Sequence, residues 1–214
     1  MFLLKKNFIN LALKYNVIEF GNYVLKSGRS SPYFFDMGRF NDCLSLKQIA
    51  IMYTHLIMST HITFDNLFGP AYKGIPLATA IGMQLVENNC HPTLTFNRKE
   101  AKTHGEKGLF IGAKLTGKTI VIDDVLTAGT AFNEVYSLIK QEGGDIVGLF
   151  IAFDRMEKNA EGKLTKQAIE QKGIPVHSLI NLHDLIDYLQ AEGDIEKAEK
   201  LVNYMKYTKD PWKC

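Results

Sequence analysis

Short apolar runs alternate with amphipathic stretches along most of the chain. Continuous apolar or β-branched runs predict strands, whereas apolar positions that recur every three or four residues predict helices. A double glycine, Gly143 and Gly144, predicts the end of the central helix. This alternation predicts an α/β fold with a mostly parallel central sheet flanked by helices. The predicted strands are 66–68, 93–96, 119–122, 146–153 and 176–180, and the predicted helices are 75–87, 129–142, 164–172, 183–191 and 195–205.

The first 60 residues follow a different pattern. Residues 2–13 carry apolar side chains at helical spacing, which predicts an amphipathic helix. Runs at 23–26 and 33–36 flank a turn-rich segment and predict a β-hairpin. Ser45 and Gln48 have the spacing of a capping box and predict the start of a second helix. We therefore expect a single domain across the whole chain, with about the first 40 residues as an addition to the α/β core.

The composition limits the classes of partner that the protein can bind. The 214 residues are 46% hydrophobic and carry a net charge of +2, so nothing favours nucleic acid or an anionic membrane, and anion binding must be local. No apolar stretch approaches the ~20 residues that span a bilayer, and the N-terminal segment lacks the apolar region of a signal peptide. The three cysteines are far apart and suit a reducing compartment. We expect a cytoplasmic protein.

One motif matches a nucleotide-binding pattern in the wrong context. Residues 112–119, GAKLTGKT, fit the P-loop pattern of nucleotide triphosphatases. That loop requires a helix to begin at its Lys-Thr pair, whereas the next three residues, Ile120, Val121 and Ile122, are β-branched and predict a strand. We interpret the segment as a turn into the central strand. A helix at residues 118–125 would contradict this interpretation.

The central strand leads into the segment with the most chemistry, TIVIDDVLTAGTA at residues 119–131. Asp123 and Asp124 follow a short apolar run, and a loop of small residues leads into the next helix. Such loops lie at the carboxyl ends of parallel strands and direct free backbone N–H groups at ligands. Gly129 lets the backbone approach an anion. The segment therefore predicts a phosphate site beside two carboxylates, which suit a sugar diol or a hydrated Mg²⁺. A turn with a helix N-cap is the structural alternative.

Two further stretches place charge near predicted strand ends. Residues 69–74, GPAYKG, lie between a strand and a helix and contain Lys73, a point charge suited to phosphate. Residues 97–108, NRKEAKTHGEKG, are the densest basic stretch and have no apolar periodicity, which predicts a solvated loop. A mobile loop with this charge would alternatively act as a lid over a pyrophosphate. Beyond about residue 190 the sequence has no comparable motif, and we interpret that part as a packed or frayed helix end.

These segments resemble a known family. Residues 119–131 are similar to the signature of the type I phosphoribosyltransferases, with Leu126 as a conservative departure, and GPAYKG looks like their pyrophosphate loop. RKEAKTHGE closely resembles the catalytic loop of the orotate phosphoribosyltransferases, and KSGRSSPYFF and FDRME resemble their orotate-binding segments. The resemblance implies the type I phosphoribosyltransferase fold with a small N-terminal hood. It also implies transfer of the phosphoribosyl group from 5-phosphoribosyl 1-diphosphate (PRPP) to N1 of orotate, in pyrimidine biosynthesis.

The resemblance assigns roles to individual residues. It implies that Lys102, His104, Asp123 and Asp124 are catalytic. It implies orotate ligands at Lys26, Phe34, Phe35, Thr127 and Arg155. The implied PRPP ligands are Lys26, Tyr72, Lys73, Arg98, Lys99, Lys102, His104, Asp123, Asp124, Val125, Leu126, Thr127, Ala128, Gly129, Thr130 and Ala131.

The resemblance also implies a cofactor and a partner. Mg²⁺ is expected to bind through PRPP and water, with Asp123 and Asp124 as the alternatives for a direct protein ligand. A homodimer is implied, in which Lys102 and His104 act in the neighbouring subunit's site. No nucleic acid or membrane partner is expected.

Alternatives remain open at the level of the sequence. A purine-salvage enzyme would share the PRPP motifs, but Lys26, Phe34, Phe35 and Arg155 speak against it. A PRPP-sensing regulator would be expected to lack the basic lid and to carry a nucleic-acid-binding element, and the sequence suggests neither departure. Because successive strand residues face opposite ways, at most one of Phe34 and Phe35 is expected to stack on the base.

Overall fold

The computed structural model describes residues 2–25, 30–102 and 108–209. Within these ranges, a two-stranded antiparallel sheet pairs β1 (Ile18–Val24) with β2 (Ser30–Phe35), which confirms the predicted hairpin. A six-stranded sheet has the order β5-β4-β3-β6-β7-β8. Its strands are β3 (Asn66–Gly69), β4 (Thr93–Lys102), β5 (Gly108–Gly112), β6 (Lys118–Leu126), β7 (Asp145–Asp154) and β8 (Val176–Asn181).

Helices cover both faces of the larger sheet. Its neighbouring strands pair in parallel except for β4 with β5, so the predicted mostly parallel sheet is confirmed. In β6, Ile120 and Ile122 pack into the core beneath α2 and α3, while Val121 packs against α4 on the other face. The helices are α1 (Phe2–Lys14), α2 (Cys43–Ser59), α3 (Gly74–Val86), α4 (Thr130–Gln141), α5 (Thr165–Glu170), α6 (Leu182–Ala191) and α7 (Ile195–Lys209).

The strand order determines where a ligand can bind. From β3 the chain passes to β4 on one side, and it later returns to β6 on the other side. In open α/β sheets, ligands bind outside the carboxyl ends of the strands at such a reversal. The loops that follow β3 and β6 are the two segments for which the sequence predicts phosphate binding. Among the described helices, none is both long enough and apolar enough to span a lipid bilayer.

Two local predictions need correction. The capping box was wrong, because Asp42 is the N-cap of α2: its Oδ1 accepts from the Ser45 N–H at 2.8 Å, and the Ser45 hydroxyl donates to the Asp42 carbonyl at 3.0 Å. The central strand is longer than predicted and ends at Leu126, so Asp123 and Asp124 lie within it. Lys118 begins this strand, which confirms that the P-loop match is false.

The basic stretch is a β-ribbon over most of its described length. β4 runs to Lys102 and pairs with β5, with partners at Asn97↔Phe110 and Lys102↔Gly108. The prediction of a loop was therefore wrong for residues 97–102, and β5 was not predicted. Residues 97–102 lack the apolar alternation of a half-buried strand, so no periodicity in the sequence predicts this ribbon. His104 and Lys26 lie outside the described residues, as do the side chains of residues 101 and 102. We call residues 97–102 and 108–110 the β4–β5 arm.

Candidate active site

The loop after β3 is fixed by close backbone packing. A Cβ added to Gly74 would lie 2.6 Å from Cδ of Pro70 and 3.0 Å from the carbonyl oxygen of Ile122 in β6. Only glycine lets α3 begin this close to the neighbouring strand. The Asn97 side chain at the base of the arm accepts from the Ala71 N–H at 2.8 Å, and the Ala71–Tyr72 peptide is cis. Asn97 begins the basic stretch, but its residue type and position in the sequence predict no role in the site.

Lys73 joins three parts of the site. Its Nζ lies 3.1 Å from Oδ2 of Asp124 in β6 and 3.0 Å from Oδ1 of Asp36, which follows β2. Burial alone would lower the pKa of Lys73, but the two carboxylates outweigh that effect and raise it. Burial likewise works against the ionised form of Asp36, but its hydrogen bonds from Lys73 and the Gly38 N–H lower its pKa. Asp36 was not predicted; its only sequence signal is its position next to the Phe34–Phe35 pair.

The two acids of β6 share a buried environment. Asp124 is 8% exposed, and its N–H donates to Oδ1 of Asp123 at 2.9 Å. The Tyr53 hydroxyl of α2 donates to the carbonyl of Asp123 at 2.7 Å and holds the strand from the helix side. Burial, followed by the charge of Asp124, raises the pKa of Asp123 to about 7. The pair therefore carries fewer than two full negative charges near neutral pH. Tyr53 lies among the apolar positions of α2, and no sequence pattern predicts this contact.

The loop after β6 forms the N-terminal entrance of α4. Gly129 has φ +83° and is the N-cap residue. In the described part of the chain, the hydrogen bonds of α4 begin with the N–H of Asn133, which donates to the carbonyl of Gly129 at 2.9 Å. The preceding N–H groups therefore lie at the positive end of the helix dipole, where an anion binds. Val125 is half-buried and Leu126 is buried, while the exposed residues of the loop are Thr127, Ala128, Thr130 and Ala131.

The arm brings cations to the loop after β3. Tyr72 is 67% exposed, and Nζ of Lys99 lies 4.9 Å from its ring centroid. Arg98 Nη1 donates to the carbonyl of Phe110 across the arm at 3.1 Å. Lys102 is the last residue of β4, so its backbone follows the same ribbon. Of the predicted pyrophosphate ligands, the structure thus gathers Tyr72, Lys73 and Lys99 at one edge.

The predicted base-binding residues lie on β2 and just after β7. Phe34 is 37% exposed and contacts Tyr23 at 5.4 Å between ring centroids, whereas Phe35 is 7% exposed and packs on Phe153 at 5.2 Å. Phe34 is therefore the ring that is open to a planar ligand. Arg155 is 4% exposed, and its backbone N–H donates to the carbonyl of Leu126 at 3.2 Å, beside the phosphate loop.

Comparison with known proteins gives a consistent result. Residues 43–174 match the family described as the phosphoribosyl transferase domain. The chain is 50% identical over 200 residues to the orotate phosphoribosyltransferase of Legionella pneumophila (strain Lens), covering 94% of this chain and 95% of that one. It is 47% identical over 189 residues to the orotate phosphoribosyltransferase of Nitrosomonas europaea, covering 88% and 83%.

A solved structure extends the likeness to the fold. The crystal structure of orotate phosphoribosyltransferase from Francisella tularensis superposes with a TM-score of 0.83 at 40% sequence identity, covering 94% of this chain and 98% of that one. The sequence and the fold are therefore both similar to those of orotate phosphoribosyltransferases along nearly the whole chain.

Proposed function

We propose how this site works from the premise that the chain belongs to the orotate phosphoribosyltransferase family. Members of the family are pentosyltransferases of pyrimidine biosynthesis. The chain accordingly transfers the 5-phosphoribosyl group of PRPP to N1 of orotate, which yields orotidine 5′-monophosphate and pyrophosphate. The assignment of individual residues to this reaction is the proposal.

The observation that carries the proposal is the contact, at the strand reversal, between the loop after β3 and the carboxyl end of β6. Lys73 follows β3, Asp124 belongs to β6, and their charged groups are 3.1 Å apart. In PRPP the ribose ring and the pyrophosphate are joined at C1. A pyrophosphate site and a ribose site must therefore be this close if both groups are to be bound at once. Binding both partners in one geometry removes much of the entropic cost of a two-substrate reaction.

PRPP lies across these loops in the proposal. The N–H groups and hydroxyls of residues 127–131, with the preceding backbone of Val125 and Leu126, bind the 5-phosphate. Asp123 and Asp124 bind the ribose hydroxyls. The pyrophosphate is bound by Lys26, Tyr72, Lys73, Arg98, Lys99, Lys102 and His104. Since Lys73 is already paired with two carboxylates, it has to exchange one of them for the incoming pyrophosphate.

The donor set of the site fits a loosely held Mg²⁺. Among the described residues, no group of three or more His, Cys, Asp or Glu side chains could hold a metal ion by itself. Asp123 and Asp124 offer carboxylate oxygens, which Mg²⁺ prefers, and PRPP and water would complete its shell. When bound, the ion would neutralise charge on the pyrophosphate.

The base binds between β2 and residue 155. Orotate is a planar anion, so the exposed ring of Phe34 suits one of its faces and the guanidinium of Arg155 suits a carboxylate or carbonyl. Thr127 and Lys26 complete this side of the site. Phe35 supports it from within the core, where it packs on Phe153.

The chain's residues act on the reaction mainly through charge and position. Departure of pyrophosphate leaves positive charge on the ribose ring and adds negative charge to the leaving group. The carboxylates of Asp123 and Asp124 lie on the ribose side, and Lys73 and the arm lysines on the leaving-group side. The β4–β5 arm would exclude water when it covers the pyrophosphate.

The proposal also covers the oligomeric state and the cellular location of the enzyme. We infer a homodimer in which Lys102 and His104 of one protomer act in the site of its partner; the support is the family relationship and the position of Lys102 at the end of an edge ribbon. A cytoplasmic location is supported by Cys43 and Cys90, which are free thiols.

A single assay tests the function. The protein is incubated with PRPP and Mg²⁺ and, in turn, with orotate, uracil, adenine or hypoxanthine, while pyrophosphate release is followed. We expect release with orotate only. Release with a purine would indicate a salvage enzyme instead, and no release with any base would indicate a PRPP-binding protein that has lost catalysis.

A further inference from the structure

Arg155 lies in a cluster of side chains from three distant segments. Its Nε donates to Oε1 of Glu157 at 2.8 Å, and its Nη2 lies 3.1 Å from the hydroxyl of Tyr204 and 3.5 Å from that of Ser31. The guanidinium also lies over the ring of Tyr33, 4.5 Å from its centroid. Ser31 and Tyr33 belong to β2, and Tyr204 belongs to α7. The C-terminal helix thus contacts a residue that is assigned to the base site.

Tyr204 closes a ring of hydrogen bonds. Its hydroxyl accepts from Arg155 Nη2 and donates to Oε1 of Glu157 at 3.1 Å, the same oxygen that accepts from Arg155 Nε. The three side chains therefore fix one another's direction. Of the Nη2 contacts to described residues, replacing the hydroxyl would leave the longer one to Ser31.

The cluster also determines which edge of the guanidinium faces a ligand. A buried guanidinium requires a counter-charge, and Glu157, itself buried, supplies it. The rings of Tyr33 and Tyr204 meet edge to face, at 5.7 Å and 89°, and close the cluster towards α7. The contacts to described side chains use Nε and Nη2, so the proposed function assigns the Nη1 donors to the planar acceptor.

We propose that Tyr204 is a positioning residue that, together with Glu157, holds Arg155 in the direction required by orotate. The proposal rests on the proposed function, in which Arg155 donates to the base. Holding the guanidinium beforehand removes the entropic cost of ordering it when orotate binds. α7, which carries no recognisable motif, is thereby a part of the specificity site.

The test is the variant Tyr204→Phe, which keeps the ring and its packing against Tyr33 and removes both hydrogen bonds. We expect the KM for orotate to rise at least about fivefold, because a hydrogen bond to a charged group is being lost. The KM for PRPP should stay within about twofold, since the proposed PRPP site meets this cluster at the backbone N–H of Arg155, which donates to Leu126 and is unchanged by the substitution. The matched control is Tyr188→Phe on α6, which removes a hydroxyl that donates to Asn10 at 2.6 Å and should change neither constant.

A second comparison distinguishes positioning from a purely structural role. Arg155→Lys keeps the charge beside Glu157 but loses the planar fork. It should raise the KM for orotate, and Tyr204→Phe should add little in that background because both changes act through one guanidinium. Inhibition by uracil, which lacks the carboxylate, should change much less than the KM for orotate.

The possible results separate the two hypotheses. If Arg155→Lys leaves the KM for orotate unchanged, the assignment of Arg155 to the base fails, and with it this part of the proposed function. If Arg155→Lys raises that KM and Tyr204→Phe does not, the positioning role is refuted while the function stands. If Tyr204→Phe raises the KM for orotate and the KM for PRPP equally and lowers the thermal midpoint, Tyr204 only stabilises the fold. That result would likewise overturn the inference.

Discussion

Replacing Gly129 by alanine should weaken PRPP binding by more than the loss of fold stability alone can explain. Gly129 has φ +83°, a conformation that costs an L-residue about 1–2 kcal/mol. An added Cβ would also lie 2.7 Å from Cγ2 of Thr165, well inside an ordinary carbon–carbon contact of about 3.5 Å. The backbone determines the position of the added Cβ, and the hydrogen bond from Thr165 to the Glu157 carbonyl holds the Thr165 side chain. The loop therefore has to move by roughly 1 Å.

A movement of that size is large on the scale of a hydrogen bond. An N–H group that binds the 5-phosphate at about 2.9 Å would be displaced to a distance at which the bond is lost. One charge-assisted hydrogen bond contributes about 1.5–3 kcal/mol, so Gly129→Ala should weaken PRPP binding by at least about tenfold. Titration calorimetry with PRPP and Mg²⁺ measures this directly. The loss of stability should lower the thermal midpoint by roughly 2–8 °C.

Gly143 provides a matched control at the other end of α4. It has φ +82°, and a Cβ there would meet nothing within 4 Å, so Gly143→Ala carries the backbone cost without the contact. It should lower the thermal midpoint and leave PRPP affinity unchanged. Adding Thr165→Ser to Gly129→Ala removes Cγ2 but keeps the hydroxyl that donates to the Glu157 carbonyl at 3.1 Å, and should restore part of the affinity. PRPP affinity within twofold of wild type in Gly129→Ala would refute the assignment of this loop to the 5-phosphate.

Three further predictions concern charged residues. Lys102→Ala should lower turnover by more than about tenfold while PRPP still binds, because a charge-assisted hydrogen bond to the leaving group is lost. The control is Lys114→Ala, two residues after Gly112, which lies at the other end of the β4–β5 pairing from Lys102. Unchanged turnover in Lys102→Ala would remove that residue from the mechanism. The double variant Asp123→Asn/Asp124→Asn should bind PRPP more weakly in calorimetry, and full affinity would contradict the ribose assignment. Since the folded-state pKa of Asp123 is raised from 3.8 to about 7, its ionisation favours the unfolded chain and stability is lost as pH rises through that window. Without PRPP and Mg²⁺, Asp123→Asn should therefore gain stability over wild type in denaturant titrations at about pH 8 but not at about pH 4, and an equal difference at both would show that the pKa is not raised.

The sequence predicted the features that are encoded locally. The β-branched run at Ile120, Val121 and Ile122 identified the central strand, and contiguous motifs located the two strand-to-helix loops that are predicted to bind phosphate. The residues it missed act across long separations: Asn97 reaches Ala71, Asp36 reaches Lys73 and Tyr204 reaches Arg155, over 26, 37 and 49 positions respectively. Periodicity carries information about neighbours along one element, not about which distant side chain completes a site. β5 was missed for a related reason, since its pairing with β4 rather than its own pattern defines it.

The cluster around Arg155 has a consequence for the order in which the protein becomes functional during synthesis. The two loops proposed to bind phosphate are complete in the chain at residue 131. Arg155, by contrast, is held by Ser31, which is synthesised early, and by Tyr204, which follows Arg155 by 49 positions. If the proposed roles are right, the residues that bind the sugar phosphate are synthesised first, and the residues that select the base are complete only when α7 has been made.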